Sequence, residues 1–265
     1  MGILLMFNLH VGIPGVAPDL LHSVVRAGLL KRDGAPAVLS PKVWQEQFRG
    51  LVNAKRSKAE LDIVAWPKTK ATIAALSAHD AIAGSLHALL GGPEDCFLKR
   101  KVLPYADARI ARVSEVFAAV PLTFHLTIQS QFDYLQTSMN RLPEGKTLAP
   151  PGIIPSWSAL VQRIRVAAPD REILVWDFER PEKVALAFMI YLLGTNDPAL
   201  IDALEAYLSK TIQRLSPPSS HSIAGLSHEM IDLLDAQYDL DLQALKQIEG
   251  VLLIRPELIP EDFHL

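Results

Sequence analysis

The chain has 265 residues, 49% apolar and 21% charged, with 26 basic and 29 acidic side chains for a net charge of −3. Those proportions exclude a disordered or collagen-like chain, and the balance of charge supplies no basic footprint for a nucleic-acid groove. A fold of this size buries roughly three quarters of its unfolded surface without staples, and its single cysteine, Cys96, excludes an intramolecular disulfide and a cysteine-based zinc site. The apolar start, Met1 to Leu9, contains Asn8, has no basic region before it and runs into His10. It reads as a buried strand rather than an export or membrane segment. The expected compartment is the reducing cytoplasm.

The pattern predicts an α/β chain. Ile3 to Val11 is a continuous apolar run closed by Gly12, as in a central parallel strand buried on both faces. Helical periodicity follows over Leu20 to Leu30. Ala37 to Leu39 is a short second strand after Gly34 and Pro36, and Val43 to Asn53 is helical. Ala71 to Leu76 reads as the third strand and Asp80 to Leu90 as the next helix. Ala106 to Phe117 is helical, Leu122 to Ile128 is a strand, and Phe132 to Arg141 and Ala159 to Ala167 are helices. Ile173 to Trp176 is the fifth strand, with a helix over Lys183 to Leu193. Leu200 to Leu215 and Met230 to Leu245 make a helical C-terminal portion, followed by a short apolar run, Val251 to Ile254. Two loops, Leu142 to Pro155 and Ser216 to Ser222, read as surface connections or a lid. Strands separated by helices predict right-handed crossovers: a three-layer sandwich on a mainly parallel sheet of four or five strands, in one domain spanning 1–265.

In such a sheet a ligand sits at the carboxyl ends of the strands. The first turn there is His10-Val-Gly-Ile-Pro-Gly-Val-Ala-Pro-Asp19-Leu-Leu. It has the strand–glycine turn–helix layout of a phosphate cradle but lacks the G-x-x-x-x-G-K-[ST] pattern of a P-loop. The chain resembles the bacterial sulfotransferase-like family, whose first turn reads approximately His-[Ile/Val]-Gly-x-[Pro/His]-Lys-Thr-Gly-Thr-[Thr/Ser]-x-[Leu/Ile]. His10, Val11, Gly12, Pro14 and Leu21 fit it. The similarity continues in order: Leu76 to Gly84 beside the family's second segment, Val102 to Arg112 beside its following helix, and Leu126 to Ser130 with Tyr134 to Ser138 beside its Arg…Ser segment. Leu226 to Asp241 is similar to its C-terminal helix pair.

The resemblance implies a P-loop-related α/β fold, PAPS as donor cofactor and sulfuryl transfer to a hydroxyl or amine. It carries the donor-binding positions onto Gly12, Gly15, Gln129 and Thr137, and the base segment onto His79 and Asp80. The family's lysine, arginine and cradle hydroxyls are replaced here. Gly15 stands at the lysine, Gln129 at the arginine and Thr137 at the serine, while Val16, Ala17, Pro18 and Asp19 complete the turn. Pro18 removes an N–H donor at the helix start, and Asp19 satisfies the dipole with its own carboxylate.

Each remaining candidate has a plainer reading. His79 and Asp80 would act as a general base with an orienting carboxylate, or Asp80 caps a helix and His79 is a loop residue. Lys68 and Lys70 read as solvated. Lys99, Arg100 and Lys101 form the densest basic cluster and read as a solvated loop, or as replacement charge for a donor phosphate. His10 reads as a hydrogen-bonded core histidine or a ligand contact. His221 and His228 with Glu229 fit metal ligands in spacing only, and their places in a Ser/Pro loop and at a helix start argue against a metal site. Glu94 and Asp95 disfavour a thiolate at Cys96. Trp157, Trp176, Phe178 and Tyr191 fit core packing.

The expectation is a sulfotransferase-like protein that is not an efficient sulfotransferase and binds a small molecule, a glycan or a protein partner without catalysis. The alternatives are an active PAPS-dependent group transferase with an unconventional donor site, and a different α/β enzyme such as a nucleotide-dependent transferase. Neither a nucleic-acid nor a membrane partner is expected.

Overall fold

The computed structural model describes residues 6–13, 20–32, 34–48, 71–75, 79, 81–86, 89–91, 102–140, 154–212 and 226–260. Six strands form one all-parallel sheet: β1 Met6–His10, β2 Ala37–Leu39, β3 Ala81–Ser85, β4 Leu122–Ile128, β5 Glu172–Asp177 and β6 Val251–Ile254, in the order β2-β3-β1-β4-β5-β6. The helices are α1 Leu20–Arg26, α2 Pro41–Val43 running into a π turn over Trp44–Phe48, α3 at 71–75, α4 Ala106–Val116, α5 Gln131–Asn140, α6 Trp157–Ala167, α7 Pro181–Leu193, α8 Pro198–Ile212 and α9 His228–Leu245. Among the described residues no helix is long and apolar enough to cross a membrane.

The first strand is central, as its unbroken apolar run predicts, and Phe7, Asn8, Leu9 and His10 are all buried. The sheet has six strands rather than four or five, because the apolar run Val251–Ile254 adds the edge strand β6 beside β5.

One element differs in kind. Residues 71–75 are helical, not a strand, and the third strand is Ala81–Ser85, inside the segment expected to be helical. Residues 71–75 are Ala-Thr-Ile-Ala-Ala, and alanine favours the helix. Ala-Ile-Ala-Gly-Ser is poor in strand formers, so its conformation is set by neighbours on both sides, β1 and β2. Gly84 is the tightest point: a Cβ there would lie 2.8 Å from Leu9 Cδ1 and 3.5 Å from Phe7 Cε2. Only a residue without a side chain lets β1 pack that closely.

Alternation along the strands divides the core. One face carries Phe7, Leu9, Phe124, Leu126, Ile173 and Val175, all buried. Phe7 meets Phe117, just after α4, edge to face with ring centroids 4.8 Å apart, and Phe117 stacks on Phe48. The other face carries Asn8, His10, Ser85, His125, Thr127 and Trp176 and is covered by α7. That helix is apolar almost all round, as a helix enclosed between a sheet and α8 must be.

Candidate functional site

The strand order places the crevice. The chain leaves β1 toward β2 on one side and leaves β4 toward β5 on the other. Connections that diverge from adjacent parallel strands open a gap outside their carboxyl ends. The described residues at that edge are Val11, Gly12 and Ile13 after β1, all three buried, Gln129 and Ser130 after β4, and Asp177, which closes β5, with Phe178 and Glu179 after it.

Gly12 stands at the end of β1, as expected, and its environment explains the missing side chain. A Cβ would collide with the His10 ring and come within 2.5 Å of Thr127 Oγ1. Beside it the Val11 amide donates to the His125 carbonyl at 2.9 Å and the Ile13 amide to the Thr127 carbonyl at 3.5 Å. These two N–H groups extend the ladder toward β4 rather than facing outward as an anion cradle does. His10 is a buried core histidine, with Nδ1 2.9 Å from Ser85 Oγ and Nε2 3.0 Å from Thr127 Oγ1. It ties together the carboxyl ends of β3, β1 and β4.

Gln129 also lies at the carboxyl edge. Its carbonyl accepts from Trp157 Nε1 at 2.9 Å, while its side-chain Nε2 is buried without a hydrogen-bond partner. Ser130 caps α5, accepting from the Asp133 amide at 3.1 Å. Thr137 lies within α5. Gly15, Asp80, Lys68, Lys70, Cys96, Lys99, Arg100, Lys101 and His221 lie outside the described residues.

His79 is placed differently from the expectation. Because β3 begins at Ala81 and runs parallel to β1 with Met6 opposite Ala81, His79 precedes the strand, at the amino end of the sheet. A five-residue strand at roughly 3.3 Å per residue separates it from the carboxyl edge by about 16 Å. His79 is exposed there and does not join Gly12 and Gln129. The error follows directly from taking 71–76 as the strand.

At the end of β5 lies a cluster that the sequence reading did not single out. Asp177 is fully buried; its Oδ1 accepts from Tyr238 Oη at 2.6 Å and from the Glu179 amide at 3.0 Å. Arg255, just after β6, brings Nε to 3.5 Å from Asp177 Oδ2. Arg180 pairs with Glu257. Glu179 is held above the ordinary carboxylate range, first by partial burial and then by Asp177 and Asp133, against the opposing pull of Arg180 and Arg255. Burial, then Asp177, pushes the Tyr238 hydroxyl well above its usual range. The charges acting on Glu179 are the carboxylates Asp177 and Asp133, opposed by Arg180 and Arg255, which are engaged by Glu257 and Asp177. An aspartate closing a strand at the carboxyl edge was the signal available in the sequence.

Tyr238 reaches Asp177 because α9 is anchored one turn further on. Asp241, 1% exposed, accepts from Trp157 N (2.7 Å) and Gln131 Nε2 (2.7 Å) through Oδ2, and from Ser156 Oγ (2.7 Å), Ser158 Oγ (2.6 Å) and Ser158 N (3.2 Å) through Oδ1. It thereby satisfies the N-terminus of α6 from a different helix.

Among the described residues no group of three or more histidine, cysteine, aspartate or glutamate side chains could hold a metal ion. No protein-family model and no curated protein sequence matches the chain.

Proposed function

We propose that this chain is a sulfotransferase-like α/β protein that binds an uncharged small molecule or glycan at the carboxyl edge of its sheet and does not efficiently transfer a sulfuryl group from PAPS. One observation carries the reading: the sign of charge at that edge. A PAPS-type donor brings several negative charges into one cleft, and transfer of such groups relies on positioned positive charge. Here Asp133, Asp177 and Glu179 surround the end of β5, and Arg180 and Arg255 are engaged by Glu257 and Asp177. The ladder bonds of Val11 and Ile13 withdraw two further donors. Carboxylates and an amide suit a polyol, whose hydroxyls both donate and accept.

The runner-up is an active PAPS-dependent enzyme with an unconventional donor site. It is favoured by the unpartnered Gln129 Nε2, a buried donor at the position where the family has its arginine.

Titration calorimetry with adenosine 3′,5′-bisphosphate separates the two. Each charged hydrogen bond to an anion contributes roughly 1.5–3 kcal/mol. Two missing ones predict affinity lower by on the order of 10² to 10⁴ than a lysine- and arginine-bearing site. Millimolar or undetectable binding is expected. A micromolar dissociation constant, abolished by replacing Lys99, Arg100 and Lys101 with Ala, would establish the runner-up.

A further inference from the structure

The outer face of α9 has two features that belong together. Leu233, Ala236, Leu240 and Ala244 follow one another at spacings of three, four and four, which places them on one stripe of the helix. All four are exposed, Leu233 at 46% and Leu240 at 64%. The opposite stripe, Leu234, Tyr238, Asp241, Leu242 and Leu245, is the one that packs into the molecule. Single exposed leucines are ordinary; a second apolar stripe over residues 233 to 244, two thirds of an 18-residue helix, is a surface for another helix.

The border of the stripe says what kind of helix. Residues His228–Leu245 contain five acidic side chains and neither lysine nor arginine. Asp241 is buried, whereas Glu229, Asp232, Asp235 and Asp239 are exposed. Glu229, Asp232 and Asp239 make no ion pair among the described residues. A second copy of α9 laid on this stripe would set acidic rows against each other, and like charges at this range repel. We infer that the outer face of α9 docks a basic amphipathic helix of another protein, with its apolar stripe on Leu233 and Leu240 and its lysines or arginines on Asp232 and Asp239. This surface is separate from the carboxyl-edge crevice, and the inference does not rest on the function proposed for that crevice.

Two synthetic helical peptides with the same leucine stripe, one flanked by lysine and one by glutamate, test it by calorimetry against the full chain. The lysine peptide is expected to bind at least about tenfold more tightly than the glutamate peptide, a difference of about 1.4 kcal/mol. The advantage should shrink between about 0.05 and 0.5 M salt, as exposed charge pairs are screened. Leu233→Ser with Leu240→Ser should weaken binding of the lysine peptide by about tenfold or more, with melting confirming that the fold is kept. Asp232→Asn with Asp239→Asn leaves the stripe intact and should erase the preference for lysine. Equal affinity for the two peptides, or affinity unchanged in both double variants, would overturn the inference. So would a chain that runs as a dimer and becomes monomeric on Leu233→Ser with Leu240→Ser, which would assign the face to a second copy.

Discussion

The sheet holds polar groups in two places, and they obey opposite rules. Under α7 every member of a buried chain is satisfied. Trp176 Nε1 donates to His125 Nδ1 at 3.2 Å, His125 Nε2 lies 3.3 Å from Asn8 Oδ1, and Asn8 Nδ2 donates to the Tyr191 carbonyl at 3.0 Å. Indole N–H is a donor only, so Nδ1 accepts and the imidazole proton sits on Nε2. Burial pushes the His125 pKa down to about 3, and a proton on Nδ1 would also face the indole donor. This chain is neutral and closed. At the carboxyl edge of β5, by contrast, carboxylates crowd one another, Glu179 is exposed, and the two arginines only partly offset the charge. A sealed polar network fixes the packing of strands and helix; at the end of β5 the carboxylates keep like-charged neighbours that raise Glu179.

The comparison breaks most visibly if Asp241, as buried and as fully engaged as the chain under α7, tolerates change. Asp241→Ala strands donors on Trp157, Ser158 and Gln131 in a buried place, which predicts a loss of about 3–5 kcal/mol. Urea unfolding at neutral pH reads it directly; a loss under about 1 kcal/mol would show that α9 is not held this way.

Acid is the second probe. The folded-state pKa of His125 lies below the unfolded value of about 6.5, so the native state prefers the neutral ring. Its contribution is complete above about pH 6.5 and is lost as the pH falls from there toward about 3, where the folded form also takes up the proton. By pH 4 the loss is on the order of 3 kcal/mol. Unfolding free energies measured from pH 7 to pH 4 should fall steeply in the parent chain and markedly less in His125→Gln, which starts from a lower stability. Parallel slopes would show that another group carries the acid sensitivity.

Gly84→Ala is the third. Its new Cβ forces Leu9 to move and is expected to destabilise by about 1–2 kcal/mol, visible as a lower melting temperature. The smallest effect belongs to the open edge. The folded-state pKa of Glu179 is raised, so its ionised form opposes folding and stability declines as the pH rises through its titration. Because the side chain is exposed, solvent screening limits this to about 0.5 kcal/mol, and Glu179→Gln should be neutral or slightly stabilising at pH 7. A loss of more than about 1 kcal/mol would mean that Glu179 belongs with the sealed groups.

What was legible in the sequence follows the same division. Runs such as Leu122–Ile128 declare a buried strand by composition, and the helices around Ala106, Trp157 and Pro181 declare themselves by period. Ala81–Ser85 does not, because its small side chains carry no strand signal of their own and its two neighbours impose the conformation. That one misreading moved His79 to the wrong end of the sheet. Gly12 and Gln129 fell where the strand-end argument put them, because it needs only the end of a strand to be right. Asp177, Tyr238, Arg255 and Asp241 were unreadable as a group. Their contacts join residues 61 to 110 positions apart, and no local pattern encodes them.

The central claim is that the carboxyl edge of this sheet is closed to a polyanionic donor by its own charge. Amide spectra recorded by NMR during titration with adenosine 3′,5′-bisphosphate test it residue by residue. The account predicts no saturable shift at Gly12, Gln129, Ser130 or Glu179 up to millimolar ligand. Saturable micromolar shifts confined to those four positions would contradict it.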